Sequence, residues 1–136
     1  MIVDSDNEIG KIIVDAAVRI HTRLGPGLLE TVYESVLAYE LRKRGLSVDR
    51  QVPVPVRYES MLFDEVFRAD MIVAGKVIVE LKAVERVKKV HMKQVLTYLR
   101  LSGLKLGFLL NFNADLMKYG ITRLVNGLGE DRGMPQ

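Results

Sequence analysis

Apolar residues recur at helical spacing through Ile9, Ile12, Ile13, Ala16, Ala17, Ile20 and Leu24, the stripe of an amphipathic helix. Ser5-Asp6-Asn7-Glu8 ahead of it reads as a capping box. Gly25-Pro26-Gly27 ends it, because glycine takes a left-handed cap and proline cannot continue a helix. A second stripe, Leu29, Val32, Tyr33, Val36, Leu37 and Leu41, predicts a helix over residues 28–44 that stops at Gly45. Arg42, Lys43 and Arg44 suit the negative end of its dipole.

The period then changes to two. Val48 to Tyr58 alternates, but Pro53 and Pro55 fall between its valines; proline cannot donate to a ladder, so this strand belongs at a sheet edge. Met61 to Val73 and Val77 to Lys82 predict two further strands, making a meander of three. A helix from about Val90 to Ser102, burying Met92, Val95, Leu96 and Leu99, ends at Gly103. Leu104 to Leu110 is nearly continuous apolar sequence, as in a strand covered on both faces. Strand, helix and strand in that order predict a right-handed parallel crossover. Gly120 to Val125 is a candidate last strand, and residues 127–136 read as a frayed tail.

The turn between the second and third strands fixes a register. A three-residue loop, Ala74-Gly75-Lys76, with Gly75 or its neighbour at positive φ, pairs Val73 with Val77, Met71 with Val79 and Asp70 with Glu80. It places Phe67, Ala69, Met71 and Val73 on one face, and Arg68, Asp70 and Ile72 on the other. Directly opposed side chains have Cβ atoms about 4.5–5.5 Å apart, so two carboxylates are held together and ask for a cation between them. Lys82 shares the face of Glu80. The same register sets Arg68 opposite Lys82, an unfavourable pair unless the strands splay or Arg68 turns outward towards a phosphate.

Composition narrows the function classes. The chain has 136 residues, 49% of them apolar, which suits a single domain with a core of its own; we assign it to residues 1–126. With no cysteine, disulfides and thiolate metal sites are excluded, and a reducing, cytoplasmic setting is expected. Two histidines are too few for a histidine-rich metal site. No signal pattern or long apolar run points to a membrane. A net charge of +3 and a pI near 9.2 permit a polyanionic partner without requiring one.

The residues that carry chemistry are therefore Asp70, Glu80 and Lys82, with Glu30 and Glu34 one turn apart on the second helix and Gln94 and Tyr98 one turn apart on the third. Carboxylates are hard ligands for Mg²⁺ or Mn²⁺, which keep open positions for water and phosphate oxygens. A lysine beside such an ion can hold or deprotonate a water. His21, near Arg19 and Arg23, reads first as a surface histidine and second as a phosphate contact, and His91 likewise. Arg68, Lys88, Lys89, Lys93 and Arg100 are candidate contacts to a nucleic-acid backbone.

In these residues the chain resembles the PD-(D/E)XK nuclease superfamily, and within it the small proteins named for a GxxExxY motif. That motif stands here as Gly27-Leu28-Leu29-Glu30-Thr31-Val32-Tyr33, Ala69-Asp70 and Glu80-Leu81-Lys82 look like the superfamily signature, and Gln94 to Tyr98 is similar to the QxxxY element of its RecB-like members. Ala69 stands where the superfamily's name has proline. The resemblance implies an α/β fold with a restriction-endonuclease-like core, a mixed central sheet flanked by helices. It implies a metal held by Asp70, Glu80 and the Leu81 carbonyl with help from Glu30, Lys82 placing the attacking water, and Gln94 and Tyr98 orienting the site or the substrate strand. The expected activity is Mg²⁺-dependent hydrolysis of DNA, with a homodimer or a larger complex as the expected assembly. The alternative is a nuclease-fold module that binds nucleic acid or protein without cleaving.

Overall fold

The computed structural model describes residues 5–127; the expected tail lies, from residue 128 on, outside the described residues. The elements are α1 (Asp6–Leu24), α2 (Glu30–Lys43), β1 (Val48–Tyr58), β2 (Met61–Val73), β3 (Val77–Lys82), α3 (Lys89–Ser102), β4 (Leu106–Asn111) and β5 (Ile121–Val125), with a 3-10 turn at Met117–Tyr119 before the last strand. The sheet order is β1-β2-β3-β4-β5. β1, β2 and β3 are an antiparallel meander, β3 and β4 are parallel across α3, and β5 returns antiparallel to β4. The proline-bearing strand is an edge, as its missing donors require. No helix among the described residues is long and apolar enough to cross a membrane.

Side chains alternate across the central strands, so each face of the sheet has its own core. Val77, Val79 and Leu81 of β3 and Leu106, Phe108 and Leu110 of β4 pack with α1 and α2. Ile78 and Leu109 pack on the other side with Val95, Tyr98 and Leu99 of α3. Two glycines let the helices approach closely. A Cβ at Gly10 of α1 would stand 3.1 Å from the Phe108 ring, and one at Gly107 of β4 would stand 3.0 Å from Val95 Cγ1.

Ser5 caps α1, its hydroxyl accepting from Glu8 N–H at 3.2 Å. α2 begins two residues later than the apolar stripe suggests. Leu29 is extended (φ −70°, ψ 150°), and the Leu28 N–H donates to the Tyr33 hydroxyl at 3.2 Å. Leu29 is consequently 73% exposed, and Val32 is exposed as well. The face that α2 does bury carries Tyr33, Leu37, Ala38 and Leu41 together with two acids, Glu34 and Glu40. Glu40 is paired with Arg44 at 2.8 Å, which also reaches Asp15 of α1 at 2.7 Å, and the Arg44 hydrogen bond holds the Glu40 carboxyl below its usual range.

The β2–β3 hairpin has the expected register, with Val73 opposite Val77, Ile72 opposite Ile78 and Met71 opposite Val79. Both Ala74 (φ 54°) and Gly75 (φ 67°) take the left-handed conformation of its turn. The faces of β2 differ from a strict alternation. Met71 and Val73 belong to the α1/α2 core, whereas Ala69 and Phe67 belong to the α3 core. The alternation slips at Asp70. On β1, between Arg50 opposite Met71 and Val52 opposite Ala69, Gln51 takes φ 52°, so both strands bend at one point. Beyond the bend Arg68 pairs with Pro53, and Lys82 pairs with Asn111 of β4. The expected opposition of Arg68 and Lys82 does not form, because β2 has turned away from β3.

Candidate active site at the bend of the sheet

Where β2 leaves β3, side chains take over main-chain donors. The Asp70 N–H donates to Glu80 Oε1 at 2.7 Å, and the Leu81 N–H donates to Asp70 Oδ2 at 2.9 Å. Each acid is thereby anchored to the other's strand. Asp70 is half-buried, while Glu80 is only 4% exposed. Burial and then the charge of Asp70 push the Glu80 carboxyl up to about 8, with Lys82 acting weakly in the opposite direction. Placing an anion in a low-dielectric site beside another anion disfavours its ionised form.

Tyr98 of α3 lies over this pair. It is buried, and its hydroxyl is pushed up to about 12, first by burial and then by the charges of Glu80 and Asp70; a hydrogen bond with Gln94 opposes the shift. Gln94 and Tyr98 thus meet one turn apart, as their spacing predicts, and Tyr98 remains a neutral donor near the acids. Lys82, half-buried, follows Glu80 on the same face of β3.

The helical acids behave differently from one another. Glu30 is exposed and accepts the Ala83 N–H at 3.2 Å, just past the end of β3. Glu34 is buried and receives Arg50 Nε at 2.8 Å and Gln51 Nε2 at 2.9 Å. The same Gln51 amide reaches Asp70 Oδ1 at 3.5 Å. The acid connected to the Asp70–Glu80 pair is therefore Glu34, through Gln51, a residue the sequence patterns did not single out. Among the described residues no group of three or more His, Asp or Glu side chains is arranged to hold a metal ion.

Other residues of the G-x-x-E-x-x-Y stretch are structural. Gly25 (φ 71°) and Gly27 (φ 105°) let the chain turn between α1 and α2. Tyr33, fully buried, donates its hydroxyl to the Gly25 carbonyl at 2.5 Å and stacks on Phe112 with ring centroids 4.5 Å apart. This tie fixes the start of α2 and hence where Glu30 and Glu34 project.

His21 is not the expected surface residue. It is 7% exposed, with Nε2 2.7 Å from the Ala114 carbonyl, and fastens α1 to the segment after β4. His91 accepts the Lys88 N–H on Nδ1 at 3.0 Å and caps α3. Arg68 is exposed and donates to the Gln51 carbonyl at 3.3 Å, while Lys88 and Lys93 stand exposed along α3. Asn111, buried at the end of β4, also escaped the sequence reading. Its amide accepts from Val84 N–H at 3.1 Å and donates to Val84 O at 2.9 Å, holding the chain just after Lys82.

The sequence profile of the PD-(D/E)XK nuclease superfamily matches residues 7–124. The chain belongs to this superfamily. Its mixed sheet with helices on both faces is the restriction-endonuclease-like core of the superfamily. The solved structure of SSO0001 is similar in fold, with a TM-score of 0.53 at 19% identity over 87% of this chain and 68% of that one. No curated protein matches the sequence.

Nucleases of this superfamily generally use divalent metals, and the donors at the bend fit one. Two carboxylates with hard oxygens meet there, and burial beside Asp70 pushes the Glu80 carboxyl up to about 8. A cation would relieve that cost.

Proposed function

We propose that the protein is a divalent-metal-dependent nuclease that hydrolyses phosphodiester bonds in DNA, within a single domain spanning residues 1–126. The observation that carries this reading is the reciprocal anchoring of Asp70 and Glu80 across two strands with Lys82 on the same face. Asp70, Glu80 and the Leu81 carbonyl would hold Mg²⁺ or Mn²⁺, with Glu30 or Glu34 assisting from α2. A bound ion supplies neutralisation of the phosphate charge and acidification of a water.

The chain's own residues do the rest. Lys82 holds the attacking water and takes up or returns its proton. Tyr98, kept neutral, donates to the substrate strand or to a site carboxylate, and Gln94 orients that hydroxyl. Lys88, Lys93 and Arg68 meet phosphates from the rim. The RecB-like Gln-x-x-x-Tyr spacing and the G-x-x-E-x-x-Y stretch are consistent with this assignment of roles.

One observation favours a second reading. With no third acid or histidine converging on the pair among the described residues, a nuclease-fold module that binds nucleic acid or protein without cutting it accounts for the same fold. Incubating the purified protein with single- and double-stranded DNA and RNA, in Mg²⁺, in Mn²⁺ and in chelator, separates the two. The nuclease reading expects cleavage that the chelator abolishes. Cleavage indifferent to chelator rules out the metal mechanism, and binding without cleavage under every condition supports the module.

A further inference from the structure

A groove of about 490 Å³ lies between α3 and Phe67 of β2. Its volume falls in the range of small-ligand sites, about 300–1,000 Å³. Phe67 is the open part of its aromatic wall, and the buried Tyr98 backs it edge-on, with ring centroids 5.7 Å apart and planes at 60°. Phe67 is partly exposed, and Val90, 63% exposed, stands across from it at the start of α3.

Polar groups frame the aromatic wall. His91 accepts the Lys88 N–H on Nδ1, so in its neutral form Nε2 carries the proton and is a donor. Lys93 is exposed on the rim, and α3 carries Lys89, Lys93 and Arg100 with no acidic residue at all. A cationic helix over an aromatic wall is complementary to a ligand that has both phosphate charge and a flat apolar ring.

The groove shares Gln94 and Tyr98 with the site. Phe67 lies three residues along β2 from Asp70, about 10 Å at strand rise. A strand whose phosphate sits at Asp70 and Glu80 would carry a neighbouring base over Phe67. A base that is stacked and paired inside a duplex cannot enter such a groove; it must first be unpaired. Stacking of bases on aromatic side chains is tolerant of sequence.

We infer that the Phe67–Tyr98 groove is a subsite for one unpaired nucleobase next to the scissile phosphate, so that the substrate is a single strand or a frayed end. This rests on the nuclease reading above. The test is binding, by fluorescence anisotropy with Ca²⁺ in place of Mg²⁺, of a single-stranded DNA oligonucleotide, of the same strand with its bases replaced by abasic residues, and of its duplex. The intact single strand should bind at least about fivefold more tightly than either competitor, the fold-change expected of one base stacked on an aromatic ring. Phe67→Leu, which keeps an apolar side chain in the core, should erase the difference between intact and abasic strands. Equal binding of intact and abasic strands by the parent protein, or tighter binding of the duplex, overturns the subsite while leaving the nuclease reading in place. Absence of binding to every oligonucleotide overturns the nuclease reading itself, and the subsite with it.

Discussion

Glu80 accepts the main-chain N–H of Asp70 at 2.7 Å, one residue beyond the last pair of the β2–β3 ladder. The contact holds a buried carboxyl against a second acid, and burial and that neighbour push Glu80 up to about 8. In the unfolded chain the group titrates near 4.5. Between these values the folded state keeps a proton that the unfolded state releases, so metal-free stability falls as pH rises from about 4.5 to about 8 and levels off above. The loss is on the order of a few kcal/mol at most. Thermal unfolding in chelator should therefore show a lower Tm at pH 8.5 than at pH 5.5. Glu80→Gln, which retains an oxygen for the Asp70 N–H, should remove most of the difference; an unchanged pH profile in the variant would place its origin elsewhere.

Gln51 joins Glu34 to Asp70 with one amide while its own backbone sits at φ 52°. Left-handed backbone at a non-glycine residue costs about 1 kcal/mol, which a tolerated strand residue would avoid. Gln51→Gly should be more stable than Gln51→Ala by about 1 kcal/mol, since glycine accepts the angle without strain. Both should bind metal more weakly than the parent, because Asp70 loses the donor that orients Oδ1. Calorimetric titration with Mn²⁺ checks this, and parental affinity in both variants removes Gln51 from the site.

Lys82 stands three residues beyond Val79, the last β3 residue paired with β2, on the face of Glu80 and opposite Asn111 of β4. If it handles the proton of the attacking water, Lys82→Ala should cut turnover by on the order of 10²-fold or more. Folding and metal affinity should change little. Single-turnover cleavage of a labelled oligonucleotide measures the effect, and a variant that cleaves as fast as the parent excludes the role.

Tyr33 closes the turn before α2 through both the Gly25 carbonyl and the Leu28 N–H. Tyr33→Phe keeps the stack on Phe112 but strands those two groups, so it should destabilise the fold by about 1–3 kcal/mol. Chemical denaturation reads this directly. A change below about 0.5 kcal/mol would mean that water replaces the hydroxyl.

Much of this architecture is legible in the sequence because its signals are local. The Ser5 cap, the prolines of β1, the three-residue turn and the apolar run of β4 each name an element by its own chemistry. The register that pairs Val73 with Val77 and Met71 with Val79 follows from the turn alone. What escaped depends on distant partners. The bend at Gln51 and Asp70 is invisible to a period-two pattern, since a slip of alternation shows only when Phe67 and Met71 find different cores. His21 resembles a surface residue until the segment after β4 brings the Ala114 carbonyl to it. Glu30 and Glu34 are both candidate acids in the sequence, and nothing local separates them, because Glu34's partners Arg50 and Gln51 come from β1.

The central claim, that Asp70 and Glu80 together bind a catalytic divalent ion, is tested most directly by titrating Mn²⁺ into the parent protein and into Asp70→Ala at pH 8, with Tm recorded for both in chelator. The account predicts saturable binding with a rise in Tm in the parent. It predicts loss of both in Asp70→Ala, where relief of carboxylate repulsion is offset by stranding the Leu81 N–H that Asp70 accepts. Binding of equal affinity in the variant, or none in the parent, would contradict it.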